Sequence, residues 1–114
     1  MTAINDKELT AAQEAAKTAP KLYVRNLEIP LDYNEKTYTS LTFDWSRLTG
    51  RDSLAIEAEM AAMGKAVITP EFSGEFLRRM AVRACNEPIG IDAMEKLTIR
   101  DFNAIRSSAR SFLL

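Results

Sequence analysis

A chain of 114 residues, 46% hydrophobic and 27% charged, has room for one domain with one modest core, and its composition is globular rather than disordered. A net charge of −1, with acids and bases mixed along both halves, argues against a general nucleic-acid binder and against a polybasic membrane anchor. With no histidine, one cysteine and four isolated glycines, the chain lacks a Ser-His-Asp set, a structural zinc set, an internal disulfide and a phosphate-cradling loop.

Residues 1–20 are rich in alanine and almost free of large apolar groups. Alanine favours helix, but an alanine face buries little. The expectation is a flexible or frayed-helix segment ending near Pro20, with a docked helix using Ile4 and Leu9 as the alternative. The segment has no apolar stretch of the kind a secretory signal needs, and no stretch of the chain approaches a membrane-spanning length. The lone Cys85 fits a reducing compartment, so a cytosolic protein is expected.

From residue 22 the period changes to two. Leu27, Ile29 and Leu31 alternate with Asn26, Glu28 and Pro30, and Pro30 places this strand at an edge or ends it. Asp32 to Lys36 supplies turn chemistry. Thr39, Leu41, Phe43 and Trp45 then share one face, with Tyr38, Ser40, Thr42 and Asp44 on the other. Residues 22–45 read as a β-hairpin whose apolar face must lie on helices or on another chain.

Helical signals follow. Thr49 and Asp52 form a capping-box pattern ahead of Leu54, Ile56, Met60 and Met63, and Gly64 stops a helix of about 49–63. A second helix of about 70–86 starts at Pro70 or, better, at Ser73, where Phe72 and Leu77 would form a hydrophobic staple; Asn86 and Pro88 end it. A short piece over 91–97 precedes the clearest helix, 98–113, which Thr98 and Asp101 cap. There Leu97 and Phe102 make a staple, and Phe102, Ile105, Ala109 and Phe112 form one stripe. The fold class is therefore α+β: residues 21–114 as one small domain, an amino-terminal hairpin followed by three or four helices.

No catalytic, cofactor or metal constellation emerges. Glu71 and Glu75 sit at helical spacing and read as an exposed face. Arg78, Arg79, Arg83, Arg100, Arg106 and Arg110 read as a solvated face, with phosphate contact as the sharper alternative. Glu75 stands four residues before Arg79, the favourable order for an ion pair. Met60, Met63, Met80 and Met94 serve as core filler or as an adaptable partner surface. Phe112, Leu113 and Leu114 are three large apolar groups in a row that must pack back on the domain or meet a partner.

Taken in order, these pieces resemble the small tail assembly chaperones of long-tailed bacteriophages. The likeness covers residues 22–114 and rests on YTSLTFDW, LTGRDSLAIEAEM, PEFSGEFLRRMAVRACNEP and LTIRDFNAIRSSARSFLL. It implies a non-enzymatic protein of the host cytoplasm, without cofactor, that binds the long helical tape measure protein, keeps it soluble and gathers tail tube subunits around it. Beside these partners a homo-oligomer is expected, and the near-neutral charge and lack of a long apolar stretch argue against a membrane or nucleic-acid partner. Members of the family are often made in a longer, frameshifted form as well. The candidate partner-binding residues are Met60, Met63, Phe112, Leu113 and Leu114. A minor structural protein of the tail, or a small regulator using the arginines on nucleic acid, are the competing readings.

Overall fold

The computed structural model describes residues 22–114, so the reading of residues 1–20 lies outside them. Among the described residues an antiparallel hairpin, β1 (Leu22–Tyr33) and β2 (Lys36–Asp44), precedes four helices: α1 (Gly50–Ala62), α2 (Gly74–Ala84), α3 (Ile91–Met94) and α4 (Ile99–Leu113). This is the α+β arrangement expected, with short 3₁₀ turns at Trp45–Arg47 and Pro70–Phe72.

Tyr33 faces Lys36, which leaves Asn34 and Glu35 as the two central turn residues, at φ 49° and 67°. Two positive φ values define a type I′ turn, whose twist matches that of the flanking strands. Asn34 tolerates the left-handed region, whereas Glu35 carries a Cβ there at a cost of roughly 1 kcal/mol. Glu35→Gly should therefore raise the unfolding free energy by about 0.5–1 kcal/mol, read as a higher urea midpoint at unchanged slope. A lowered midpoint would contradict the turn assignment.

The strand does not end at Pro30. Asn26 faces Ser40 and Leu31 faces Tyr38, so the residues from Leu27 to Pro30 stand opposite Thr39 alone. Pro30 is housed in this bulge, where no ladder donor is required of it. The bulge also resets the alternation. Leu31 is buried but Ile29 is 65% exposed, against its expected place on the inner face. Thr39 is likewise exposed, while Leu41, Phe43 and Trp45 point inward as expected.

On the other side of the sheet, Cys85 forms a single antiparallel bridge with Phe43. The Asn86 N–H donates to the Thr42 carbonyl at 2.8 Å, and the Thr42 N–H donates to Glu87 Oε1 at 2.6 Å. Residues 85–87 thus leave the helix to satisfy part of the β2 edge, which is why α2 stops at Ala84 rather than at 86. Pro88 reinforces that stop by disfavouring helical backbone at Glu87.

The helix ends follow local chemistry. The Thr49 N–H donates to Asp52 Oδ2 at 2.8 Å. Gly64, at φ 75°, closes α1 in a Schellman motif, with Lys65 N–H on the Met60 carbonyl and Gly64 N–H on the Ala61 carbonyl. Ser73 Oγ accepts from Phe76 N–H at 3.2 Å, so α2 begins at Ser73 rather than Pro70. Phe72 remains 67% exposed beneath the Arg110 guanidinium, so the staple expected between it and the fully buried Leu77 gives way. The 91–97 piece is helical only to Met94; i→i+3 bonds from Glu95, Lys96 and Leu97 tighten its last turn.

The core joins the hairpin to the helices. Leu41, Phe43 and Trp45 meet Ile56 and Met60 of α1, Phe76, Leu77 and Met80 of α2, Met94 of α3 and Ile105 and Ala109 of α4. The Phe43 ring stacks between Tyr23, 6.3 Å away, and Trp45, 5.4 Å away. Trp45 Nε1–H donates to Ser108 Oγ at 3.0 Å, which ties the end of the hairpin to the last helix.

Candidate functional site

Where α1, α2 and the carboxy-terminal end of α4 meet, they leave an open apolar cleft. Leu48 and Ile56 form one wall, Phe76 and Met80 the base, and Phe112 and Leu113 the other wall, with Thr49, Asp52 and Ser53 at the rim. Helical spacing produces each wall. Phe76 and Met80 are four apart on α2, and Phe112 continues the Ile105–Ala109 stripe beyond the sealed core. The cleft holds about 270 Å³. That is below the roughly 300–1,000 Å³ typical of small-molecule sites, and suits a few aliphatic side chains from a docked helix.

The five candidate partner-binding residues separate. Phe112 and Leu113 line the cleft together, and Leu113 is 40% exposed. Leu114, the next residue, is 77% exposed, with its N–H on the Arg110 carbonyl. Met63 is exposed but lies two helical turns beyond Ile56, where its Sδ accepts from Arg79 Nη2. Met60 is a correction: at 2% exposure it belongs to the core and offers no surface to a partner. Leu48, Ile56, Phe76 and Met80 were not among the expected residues. Ile56, Phe76 and Met80 lie on helical faces readable from spacing, and Leu48 in the extended link before α1, but that they converge is a tertiary fact.

Many charged groups of α1, α2 and α4 pair within the molecule, among them Asp52 at the cleft rim. Glu75 receives Arg78 and Arg79, each at 2.8 Å, with Lys65 at 3.7 Å. It is therefore not the exposed carboxylate expected, but it does make the ion pair with Arg79 that its spacing suggested. Arg83 pairs with Asp52 at 2.9 Å, Arg78 also reaches Glu95, and Arg100 reaches Glu28. Arg106 donates to Asn103 and stacks on Phe102, while Arg110 donates to the Glu71 carbonyl. Each of the six arginines of the carboxy-terminal third thus has an intramolecular partner; Arg83 and Arg100 lie on the solvated face expected of them, whereas Arg79 is buried.

These partners shift the acids. Burial pushes Glu75 up, and Arg78 and Arg79 outweigh it, leaving its pKa below the usual carboxylate value. The Thr49 N–H holds Asp52 low against partial burial, with Arg83 adding to the effect. Burial drives the Cys85 thiol up to about 12, so it is a protonated, inert side chain at neutral pH.

A second polar seam lies between β1 and α4. Asp101, fully buried, accepts from Arg25 Nε at 2.8 Å and from the Glu28 N–H at 2.9 Å. Thr98 caps α4 by accepting from the Asp101 N–H, but the Asp101 carboxylate faces the β1 bulge instead of completing a capping box. Further apolar surface is exposed at Leu22, Val24 and Ile29 of the hairpin and at Ile99. Among the described residues no helix is long and apolar enough to cross a membrane, and no three acidic or cysteine side chains gather as a metal site. Comparison with protein-family models, with curated proteins and with solved structures gives no match.

Proposed function

We propose that this protein is a tail assembly chaperone of a long-tailed bacteriophage. It binds the tape measure protein in the host cytoplasm, keeps it soluble and helps recruit tail tube subunits. The observation that carries the reading is the apolar cleft between α1, α2 and α4, flanked by the exposed Leu113 and Leu114. An amphipathic helix of a long helical client would lay its apolar face there, with large side chains inserted one turn apart. The likeness of residues 22–114 to that family adds to the reading. The role needs no catalysis and no cofactor, and homo-oligomers would multiply the number of clefts offered to one long client.

The test is co-expression with the tape measure protein encoded beside this gene. The soluble fraction of the client should rise several-fold when the chain is present. Equal client solubility with and without the chain would refute the proposal. Mass spectrometry of purified virions separates it from a minor structural tail protein, since a chaperone is absent from the finished particle.

A further inference from the structure

Arg79 lies buried between α1 and α2 with its guanidinium only partly bonded. Its Nε donates to Glu75 Oε2 at 2.8 Å. Nη1 faces Glu59 Oε2 at 3.9 Å, beyond hydrogen-bond reach, and that carboxylate oxygen has no hydrogen-bond partner among the described residues. Nη2 donates to Met63 Sδ at 2.8 Å. A thioether is a weak acceptor, so this buried cation directs one of its donors at a poor partner. Donors of a buried charge that lack good acceptors cost more than those of a neutral group.

The sulfur is also reachable. Met63 is 51% exposed, whereas Met60, Met80 and Met94 are buried. Met63 caps the carboxy-terminal end of α1, next to Gly64, and is not held inside a packed turn. One lone pair of Sδ faces Arg79, and the exposure of the residue leaves the other to an oxidant.

We infer that Met63 is an oxidation site with a receptor beside it: a peroxide converts the thioether to the sulfoxide, and the Arg79 guanidinium takes the new oxygen. In the step, the sulfur lone pair attacks one oxygen of hydrogen peroxide. The S–O bond forms as the O–O bond breaks, and sulfur loses two electrons. The second oxygen leaves as hydroxide and takes the proton from the sulfur-bound oxygen, giving water. Rotation about the Met63 side-chain bonds then sets the sulfoxide oxygen on the Nη2 and Nη1 donors. Methionine oxidation ordinarily loosens a fold by putting a polar group among apolar ones. Here the polar group meets a cation short of acceptors, so the sign reverses and α1 is held more firmly on α2. Met63 is not part of the cleft, and the test needs no client.

The test treats the full chain with dilute hydrogen peroxide and follows each methionine by peptide mass spectrometry. Met63 should convert about tenfold faster or more than Met60, Met80 and Met94. The oxidised chain should then unfold at higher urea, with an unfolding constant about fivefold lower than before treatment. Met63→Leu, treated alike, accounts for oxidation elsewhere and should show no such rise. Met63→Gln offers Arg79 an amide oxygen without any oxidant and should unfold at higher urea than Met63→Leu. Conversion of Met63 no faster than that of the buried methionines overturns the inference. So does a urea midpoint that rises on oxidation no more than that of Met63→Leu, and so does a Met63→Gln chain no more stable than Met63→Leu.

Discussion

Trp45→Ala is expected to lower the unfolding free energy by about 3–5 kcal/mol, the usual range for emptying a buried tryptophan site. Trp45 is fully buried at the junction of hairpin and helices, stacked on Phe43, with its indole N–H on Ser108 Oγ. Truncation leaves a cavity lined by groups fixed on different elements, and neither β2 nor α4 can close it without breaking other contacts. A domain of this size has about 5–15 kcal/mol in total, so the variant should unfold at markedly lower urea. Trp45→Phe keeps most of the stack and loses the hydrogen bond, so it should cost about 1–2 kcal/mol. A cycle with Ser108→Ala should return a coupling near 1 kcal/mol. A loss under 1 kcal/mol for Trp45→Ala would mean that the hairpin does not share a core with α4.

Asp101→Asn should cost about 2–3 kcal/mol near pH 7, although it changes almost no volume. Both carboxylate oxygens accept, one from Arg25 Nε and one from the Glu28 N–H. An asparagine must turn its NH₂ toward one of those donors, and it also withdraws the charge that Arg25 faces. The loss is smaller than for a sealed ion pair, because the Arg25 side chain is 28% exposed and water can reach it. The pH dependence has a definite sign. Burial raises the Asp101 pKa, and the bonds from Arg25 and Glu28 outweigh it, so the folded value lies below the unfolded one. Its contribution is fully present above the unfolded carboxylate value of about 4 and is lost as pH falls through the folded value. The gap between the unaltered chain and Asp101→Asn should therefore be widest at neutral pH and shrink below about pH 4. A gap that widens in acid would contradict the assignment.

The parts of the fold that depend on neighbours in sequence were legible. Thr49, Gly64, Ser73 and Thr98 mark helix ends through contacts within a few residues. The alternation of Leu41, Phe43 and Trp45 likewise reports a face that any burial would use. What escaped depends on distant groups. The bulge at Leu27–Pro30 exposes the Glu28 N–H to a carboxylate 73 residues away, and this moves Ile29 to solvent. Asp101 reads as a cap because an acid near a helix start usually is one, yet it continues the Ile105–Ala109 face and is sealed with it. Met60 and Met63 are the same residue type three apart on α1, and only the helices packed over them decide that one is core and the other surface. The same limit applies to the cleft. Phe112 and Leu113 are conspicuous as large apolar groups after a polar helix face, whereas the opposing wall at Leu48 and Ile56 follows from how α1 and α4 each pack on α2.

In the proposed function, exposed apolar surface is the working part of the molecule. Its most direct measurement is the soluble fraction of the tape measure protein co-expressed with the full chain carrying Leu113→Glu and Leu114→Glu. Both residues are at least 40% exposed, so the variant should keep its unfolding free energy to within about 1 kcal/mol. The predicted result is a folded variant that leaves the client as insoluble as when no chain is present. A folded variant that solubilises the client as fully as the unaltered chain would contradict the account.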